Sequence, residues 1–236
     1  MAGLLEVIAL HESDARRALE GGADRVELLG SLEDGGMSPE PAMVEKTITT
    51  VDIPVRPMVR LREGFGTDGG EVTRLRGLIA SYLDAGADGV VLGFLNGLGE
   101  VDREVVEALV GGGEFAWTFH RAVDAALDAR RAWRVLPTLP GIDQVLTAGS
   151  ARGVETGLDE LLLTAKEVPG AAGLIMAGGG LSPEHVPWLA RAGVHSFHIG
   201  SSARPLGSYK AWVDAGLVSS WRHLVDSEVG HAVAAG

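Results

Sequence analysis

The feature that most limits how this chain can fold is an eightfold alternation of a short apolar run with a longer stretch of helical periodicity. The apolar runs fall at 4–10, 25–30, 55–61, 89–95, 114–121, 144–149, 173–177 and 196–201. Helical stretches fill the gaps, at 13–20, 39–50, 69–84, 102–110, 124–136, 152–168, 183–192 and 209–226. Strands alternating with helices in this way are the signature of βαβ units and a parallel sheet. A weak internal repeat supports the count: GGADRVEL at 21–28, AGADGVVLG at 85–93, PGIDQVLTAG at 140–149 and AGVHSFHIG at 192–200. Each reads as a helix C-cap glycine, a tight turn and a buried strand. Ser13-Asp14, Ser38-Pro39 and Ser182-Pro183 read as helix starts at the opposite strand ends.

Two architectures use this unit. A doubly wound open sheet that binds dinucleotides places a glycine-rich fingerprint after its first strand, and none stands here. Eight units in 236 residues instead match a single-domain (β/α)8 TIM barrel, typically about 250 residues long. The barrel is expected over residues 1–227, with the last nine, EVGHAVAAG at 228–236, fraying as a flexible tail. An apolar share of 46% is enough for a core without staples. Disulfides and zinc–thiolate sites are excluded by the absence of cysteine; that absence fits a reducing cytoplasm. A net charge of −12 argues against nucleic acid or an anionic membrane as partner. The N-terminal MAGLLEVIALHESD lacks a basic region and carries Glu6, so it does not read as a signal peptide. No run of about 18 apolar residues suits a membrane span.

Helices cover a barrel strand outside and side chains fill it inside, so a charged strand residue has to face the lumen near an open end or be paired. Alternation on the fifth strand turns Trp117 and Phe119 toward the helices and leaves Thr118 and His120 pointing inward. By the same parity Glu27, Arg60 and His198 face the lumen, and Thr147 is the polar member of the sixth strand. Residues from separate strands that converge on one mouth are how barrel active sites are assembled. The alternative for each is a satisfied core polar group, with Arg60 pairing Glu27 to neutralise it. Asp124, after His120-Arg121, is either a helix N-cap or a partner that orients His120 or holds a metal. Arg121 either bends into the mouth or bridges the rim. Glu6, near the start of its strand, suits structural pairing as well as function, and His11 lies close to the mouth.

Two glycine-bearing segments carry a second signal: Gly178-Gly179-Gly180 after the seventh strand, and Gly200-Ser201-Ser202 after the eighth. Exposed amides there suit a phosphate or similar anion, although tight turns also demand glycine. The three lysines, Lys46, Lys166 and Lys210, all fall in helical stretches, which argues against Schiff-base chemistry. No nucleophile elbow, HExxH or EF-hand spacing occurs.

The segments GGADRVELL (21–29), LEDGGMSP (32–39), PVRPMVRLR (54–62), ADGVVLGFL (87–95), TFHRAVD (118–124), VLTAG (145–149), IMAGGG (175–180) and FHIGSS (197–202) together resemble the copper homeostasis protein CutC family, in order and spacing over about residues 4–202. The resemblance implies a (β/α)8 barrel, a cytoplasmic setting, a homo-oligomer and a role in copper handling; it implies no particular reaction. Glu27, Arg60, His120, Arg121, Asp124 and His198 match the family pattern. The chain departs from it where relatives carry cysteines: Glu6-Val7-Ile8-Ala9 and Glu27-Leu28-Leu29 hold none, so thiolate binding of Cu(I) is impossible.

Two functions follow as expectations. One is copper binding by His120 and His198 with carboxylates and Met58 or Met176, copper being the cofactor that the resemblance suggests. The other is an enzyme acting on a small anionic or phosphorylated metabolite by lyase or isomerase chemistry. There Glu27 or His120 serves as acid or base, Arg60 holds an oxyanion, Asp124 and His198 assist, and Gly178, Gly179, Gly180, Gly200 and Ser201 bind phosphate.

Overall fold

Every one of the eight apolar runs forms a parallel strand, shorter than its run in all but the sixth, which begins two residues earlier. They are β1 (Leu4–Ala9), β2 (Arg25–Leu28), β3 (Val55–Pro57), β4 (Gly89–Leu92), β5 (Ala116–Phe119), β6 (Ile142–Thr147), β7 (Ile175–Ala177) and β8 (Ser196–Ile199). The structure, a computed structural model, describes residues 3–32, 35–111 and 114–235, so Glu33 and Asp34 of the LEDGGMSP segment lie outside it. The strands hydrogen-bond in the order β3-β2-β1-β8-β7-β6-β5-β4. A bridge between Met58 and Val91, with the Val59 N–H donating to the Val91 carbonyl at 2.8 Å, joins the two ends into a nearly closed barrel. The expected architecture is therefore the one found.

Helices α1 (Glu12–Glu20), α2 (Pro41–Ile48), α3 (Gly69–Asp84), α4 (Arg103–Val110), α5 (Ala129–Val135), α6 (Val154–Glu167), α7 (Ala171–Leu174), α8 (Val186–Arg191) and α9 (Ala215–Ala235) accompany the strands. Their apolar faces meet the outward strand residues Val7, Val26, Val90, Trp117, Phe119, Val145 and Phe197 in one continuous core. The repeated turn is visible in the backbone: Gly22, Gly86, Gly141 and Gly193 all adopt positive φ, between 75° and 98°, a region that costs an L side chain about 1–2 kcal/mol.

Three boundaries differ from expectation. Helix α1 is capped by His11, whose Nδ1 accepts the Asp14 N–H, and Ser13 lies within the helix. The segment 209–226 is not helical throughout: 208–214 is irregular and α9 begins at Ala215. The chain end expected to fray at 228–236 continues α9 to Ala235, with Val229 fully buried. Among the described residues, no helix is long and apolar enough to cross a membrane.

Candidate active site

The barrel interior is built from charge. At its lower level the Arg56 guanidinium grips Asp143 with two hydrogen bonds of 2.6 and 2.7 Å, reaches Asp88 at 3.1 Å and donates to the Thr118 hydroxyl at 3.0 Å. Above it Arg25 donates to Glu6 at 2.5 Å, and the second Glu6 oxygen lies 2.7 Å from His198 Nδ1. His198 Nε2 faces a Glu27 carboxylate oxygen at 3.5 Å. Register makes this chain continuous, since Glu6 is level with Arg25 and His198 on its two neighbours, and Glu27 is level with Ile8 and Arg56. An Arg25–Glu6–His198–Glu27 relay thus climbs from the lumen to the mouth.

Burial would raise the Glu6 carboxyl, but Arg25 and the His198 hydrogen bond outweigh it and hold the group at about 2. For the Glu27 carboxyl burial, with the charge of Glu6 added, outweighs the fields of His198 and Arg25 and pushes it up to about 7. Burial opposes charge on His198 too, yet the Glu6 hydrogen bond and the fields of Glu27 and Glu6 win and raise its pKa. The two acidic neighbours thus favour the imidazolium form of His198.

Above the relay opens a cavity of about 480 Å³ whose walls include Glu27, Met58, Arg60, Phe65, His120 and His198. Arg60 donates its Nε to the Gly64 carbonyl at 3.1 Å and lies over the Phe65 ring, 5.0 Å from its centroid. His120 is only 4% exposed. Its Nδ1 accepts the Ala122 N–H at 3.1 Å, so the ring proton of the neutral form sits on Nε2. Burial first and the Arg60 charge second hold its pKa down to about 3. Five buried side-chain polar atoms lack a hydrogen-bond partner among the described residues, and two of them, Glu27 Oε1 and His120 Nε2, belong to residues of this cavity wall. Buried polar groups are ordinarily bonded, so this pair stands out on the cavity wall.

Each histidine is seated by a glycine on the preceding strand's extension. A Cβ at Gly93 would lie 2.6 Å from His120 Nδ1, and one at Gly178 would lie 2.8 Å from the His198 Cβ. Any side chain there would drive the ring from its place.

The other expected residues sort differently. Asp124 does not orient His120. Its carboxylate accepts Arg121 Nε (2.8 Å), the Thr147 hydroxyl (2.6 Å) and the Ala148 N–H (2.9 Å), forming a strut between β5 and β6. Leu146 lines the cavity, so its neighbour Thr147 faces out of the lumen and joins this strut. Arg121 bridges the rim, donating also to the Ser150 carbonyl at 3.0 Å. Arg60 does not neutralise Glu27; that carboxylate faces His198. Glu6 lies below the cavity as a pairing group, and Met176, fully buried, accepts from Arg25 through sulfur at 3.9 Å.

The glycine loops are partly committed. The Gly178 N–H donates to the Thr147 carbonyl at 3.0 Å, and the Ser201 backbone faces the Tyr209 hydroxyl. The turn after the triple glycine, Pro183–His185, is a single 3-10 turn whose cap is filled by His185. Gly179, Gly180, Gly200 and Ser201 do line the cavity.

Sequence reasoning passed over Arg25, Arg56, Arg204 and Tyr209. The first two share the inward parity of Glu27 and Arg60, so alternation could have found them. Arg204, 2% exposed, donates to Asp14 (2.7 Å) and to the Ala211 carbonyl (2.7 Å) and stacks on Tyr209, pinning the 200–214 loop over the mouth. No periodic signal marks that loop.

Residues 4–203 match the profile of the CutC family. A CutC family protein of Xanthomonas axonopodis pv. citri is 36% identical over 203 residues, covering 85% of this chain and 83% of its own. One from Klebsiella pneumoniae is 34% identical over 197 residues, 83% of this chain and 78% of its own. A crystal structure of a Streptococcus agalactiae CutC, named for copper homeostasis, superposes with a TM-score of 0.76 at 25% identity, over 84% of this chain and 98% of that one. Barrel and sequence agree, and the chain belongs to the CutC family.

Proposed function

We propose that the mouth is an acid–base site for a small anionic metabolite, with Glu27 as the proton-transferring group, His198 as its charged partner, and Arg60 and His120 as the groups that meet the ligand's oxygens. One observation carries this reading: the two orphaned polar atoms, Glu27 Oε1 and His120 Nε2, belong to walls of one cavity. A carboxyl whose pKa is near neutrality is suited to give and take protons. Of the expected anion donors, Gly179 and Gly180 with the Ser201 side chain serve this reading better than the committed amides of Gly178 and Ser201.

Copper handling, suggested by the relative's name, finds one supporting feature, the Glu6–Glu27–His198 cluster whose ligand atoms lie within 4.8 Å of one another. The donors do not fit the ion. His198 is protonated by its carboxylates, and His120 would have to lose its Nε2 proton while Nδ1 still accepts a backbone N–H. Soft ligands reduce to Met58, because Met176 is turned to Arg25.

A thermal-shift screen of small carboxylates and phosphate esters, run beside calorimetric titration with Cu(I) and Cu(II), tests the choice. The expected result is stabilisation by a subset of anions, lost in His120→Ala without loss of fold. Sub-micromolar copper binding that disappears in His120→Ala and His198→Ala would overturn it.

A further inference from the structure

We infer that His120 is a neutral hydrogen-bond donor to a substrate carbonyl, and that the site moves a proton on the carbon beside that carbonyl, with Glu27 as the base. The inference rests on the acid–base reading and gives it a substrate class: a small 2-oxo or hydroxy-carbonyl compound with an anionic end.

The argument begins with the tautomer. Because the Ala122 N–H points at Nδ1, only Nε2 can carry hydrogen in the neutral ring, and Nε2 has no partner among the described residues. An imidazole so fixed cannot act as a base at Nε2, where the lone pair is absent, and Nδ1 is blocked. What it offers is a fixed N–H on a residue of the cavity wall, in a ring that burial first and the Arg60 charge second keep neutral. Such a donor is matched to an oxygen that gains negative charge during reaction, and costs no reorganisation when that charge appears. Glu27 and His120 stand on β2 and after β5, which are not neighbours in the sheet, so a ligand between them presents its carbon to one and its oxygen to the other. Ile8, Leu29, Met58 and Leu146 add apolar wall to the same cavity, which sharpens both interactions.

The step balances without a redox partner. Glu27 carboxylate takes the proton from the carbon; the C–H pair becomes the C=C of an enolate while the carbonyl π pair moves onto oxygen, which receives the His120 N–H. The proton held by Glu27, or a solvent proton that has replaced it there, then returns to the same carbon as the oxygen's electron pair re-forms the carbonyl, so the net change is exchange of that hydrogen with solvent. His198, charged between Glu6 and Glu27, keeps Glu27 oriented and steadies its carboxylate form.

The test uses the whole chain and a panel of 2-oxo acids and hydroxy-aldehydes in D2O, followed by proton NMR, with glycolohydroxamate as a planar enediolate mimic. At least one compound that binds should exchange its α-hydrogen for deuterium. Exchange should fall 100-fold or more in Glu27→Gln, with kcat falling and KM little changed in His120→Phe and partial rescue in His120→Gln. The hydroxamate should shift the His120 Nε2–H resonance downfield. Binding of panel compounds without exchange in any of them, together with an unmoved His120 signal, would overturn the inference and leave the acid–base binding site standing. Absence of binding by the whole panel and the mimic would overturn both.

Discussion

His120 and His198 are buried to the same degree, 4% exposed each, in one barrel and at the ends of strands three apart, yet they hold opposite charge states. His198 touches a carboxylate through one nitrogen and faces a second through the other, and its pKa rises. For His120 burial is the largest influence, the field of Arg60 adds to it, and its pKa falls to about 3. Desolvation acts downward on both; the neighbours decide the outcome. One becomes the charged end of a relay, the other a neutral donor, which is how a site separates its roles with a single residue type.

The largest effect is expected on breaking the relay that charges His198. Glu6→Gln strands Arg25 without its counter-charge in the lumen and removes the Nδ1 partner of His198. Breaking one side of a buried ion pair costs about 3–5 kcal/mol, to be read by urea denaturation, and the His198 titration should move down at the same time. A loss under about 1 kcal/mol would mean that the charge is compensated elsewhere.

A smaller effect is expected where geometry, not charge, holds His120. Gly93→Ala places a methyl against the imidazole, an overpacking cost of about 1–3 kcal/mol, and should displace the ring so that the Ala122 N–H resonance shifts. Unchanged stability and an unchanged amide shift would show that the close approach is not needed.

The comparison is sharpened further through pH. His120 keeps its neutral form down to about 3 in the folded chain, against an ordinary value near 6.5. As pH falls below 6.5 the unfolded chain takes up this proton and the folded chain does not, so stability drops by about 1.4 kcal/mol per pH unit from this group alone. Glu6, at about 2 against 4.5, adds loss below 4.5 by the same sign. Subtracting the pH profile of His120→Gln from that of the wild type should isolate the first component between pH 6.5 and 4.5. Parallel profiles would show that His120 titrates normally.

How much of this the chain's order of residues reveals follows from what each part depends on. The barrel rests on periodicity and on glycines with positive φ, both local, and was legible at every strand. The inward side chains Glu27, Arg60, His120 and His198 were legible because a period of two survives burial. Thr147 was less so, because a polar residue at a strand end can turn either way, and Asp124, which does line the cavity, carries no sign in the sequence that it binds Arg121 and Thr147 rather than His120. Arg204 was hidden in a loop without periodic signal, and Tyr209 lay in a stretch expected as helix from 209, although the helix begins at Ala215. The tautomer of His120 was beyond reach, since it depends on a single backbone N–H that the 3-10 turn Arg121–Ala125 presents to the ring.

The most direct test is a 15N NMR titration of the two imidazoles in uniformly labelled protein between pH 5 and 8.5. His120 should remain neutral throughout with hydrogen on Nε2 and Nδ1 accepting, while His198 shows both nitrogens protonated at the lower end. A His120 ring that protonates near 6.5, or that carries its hydrogen on Nδ1, would contradict the division of roles between them.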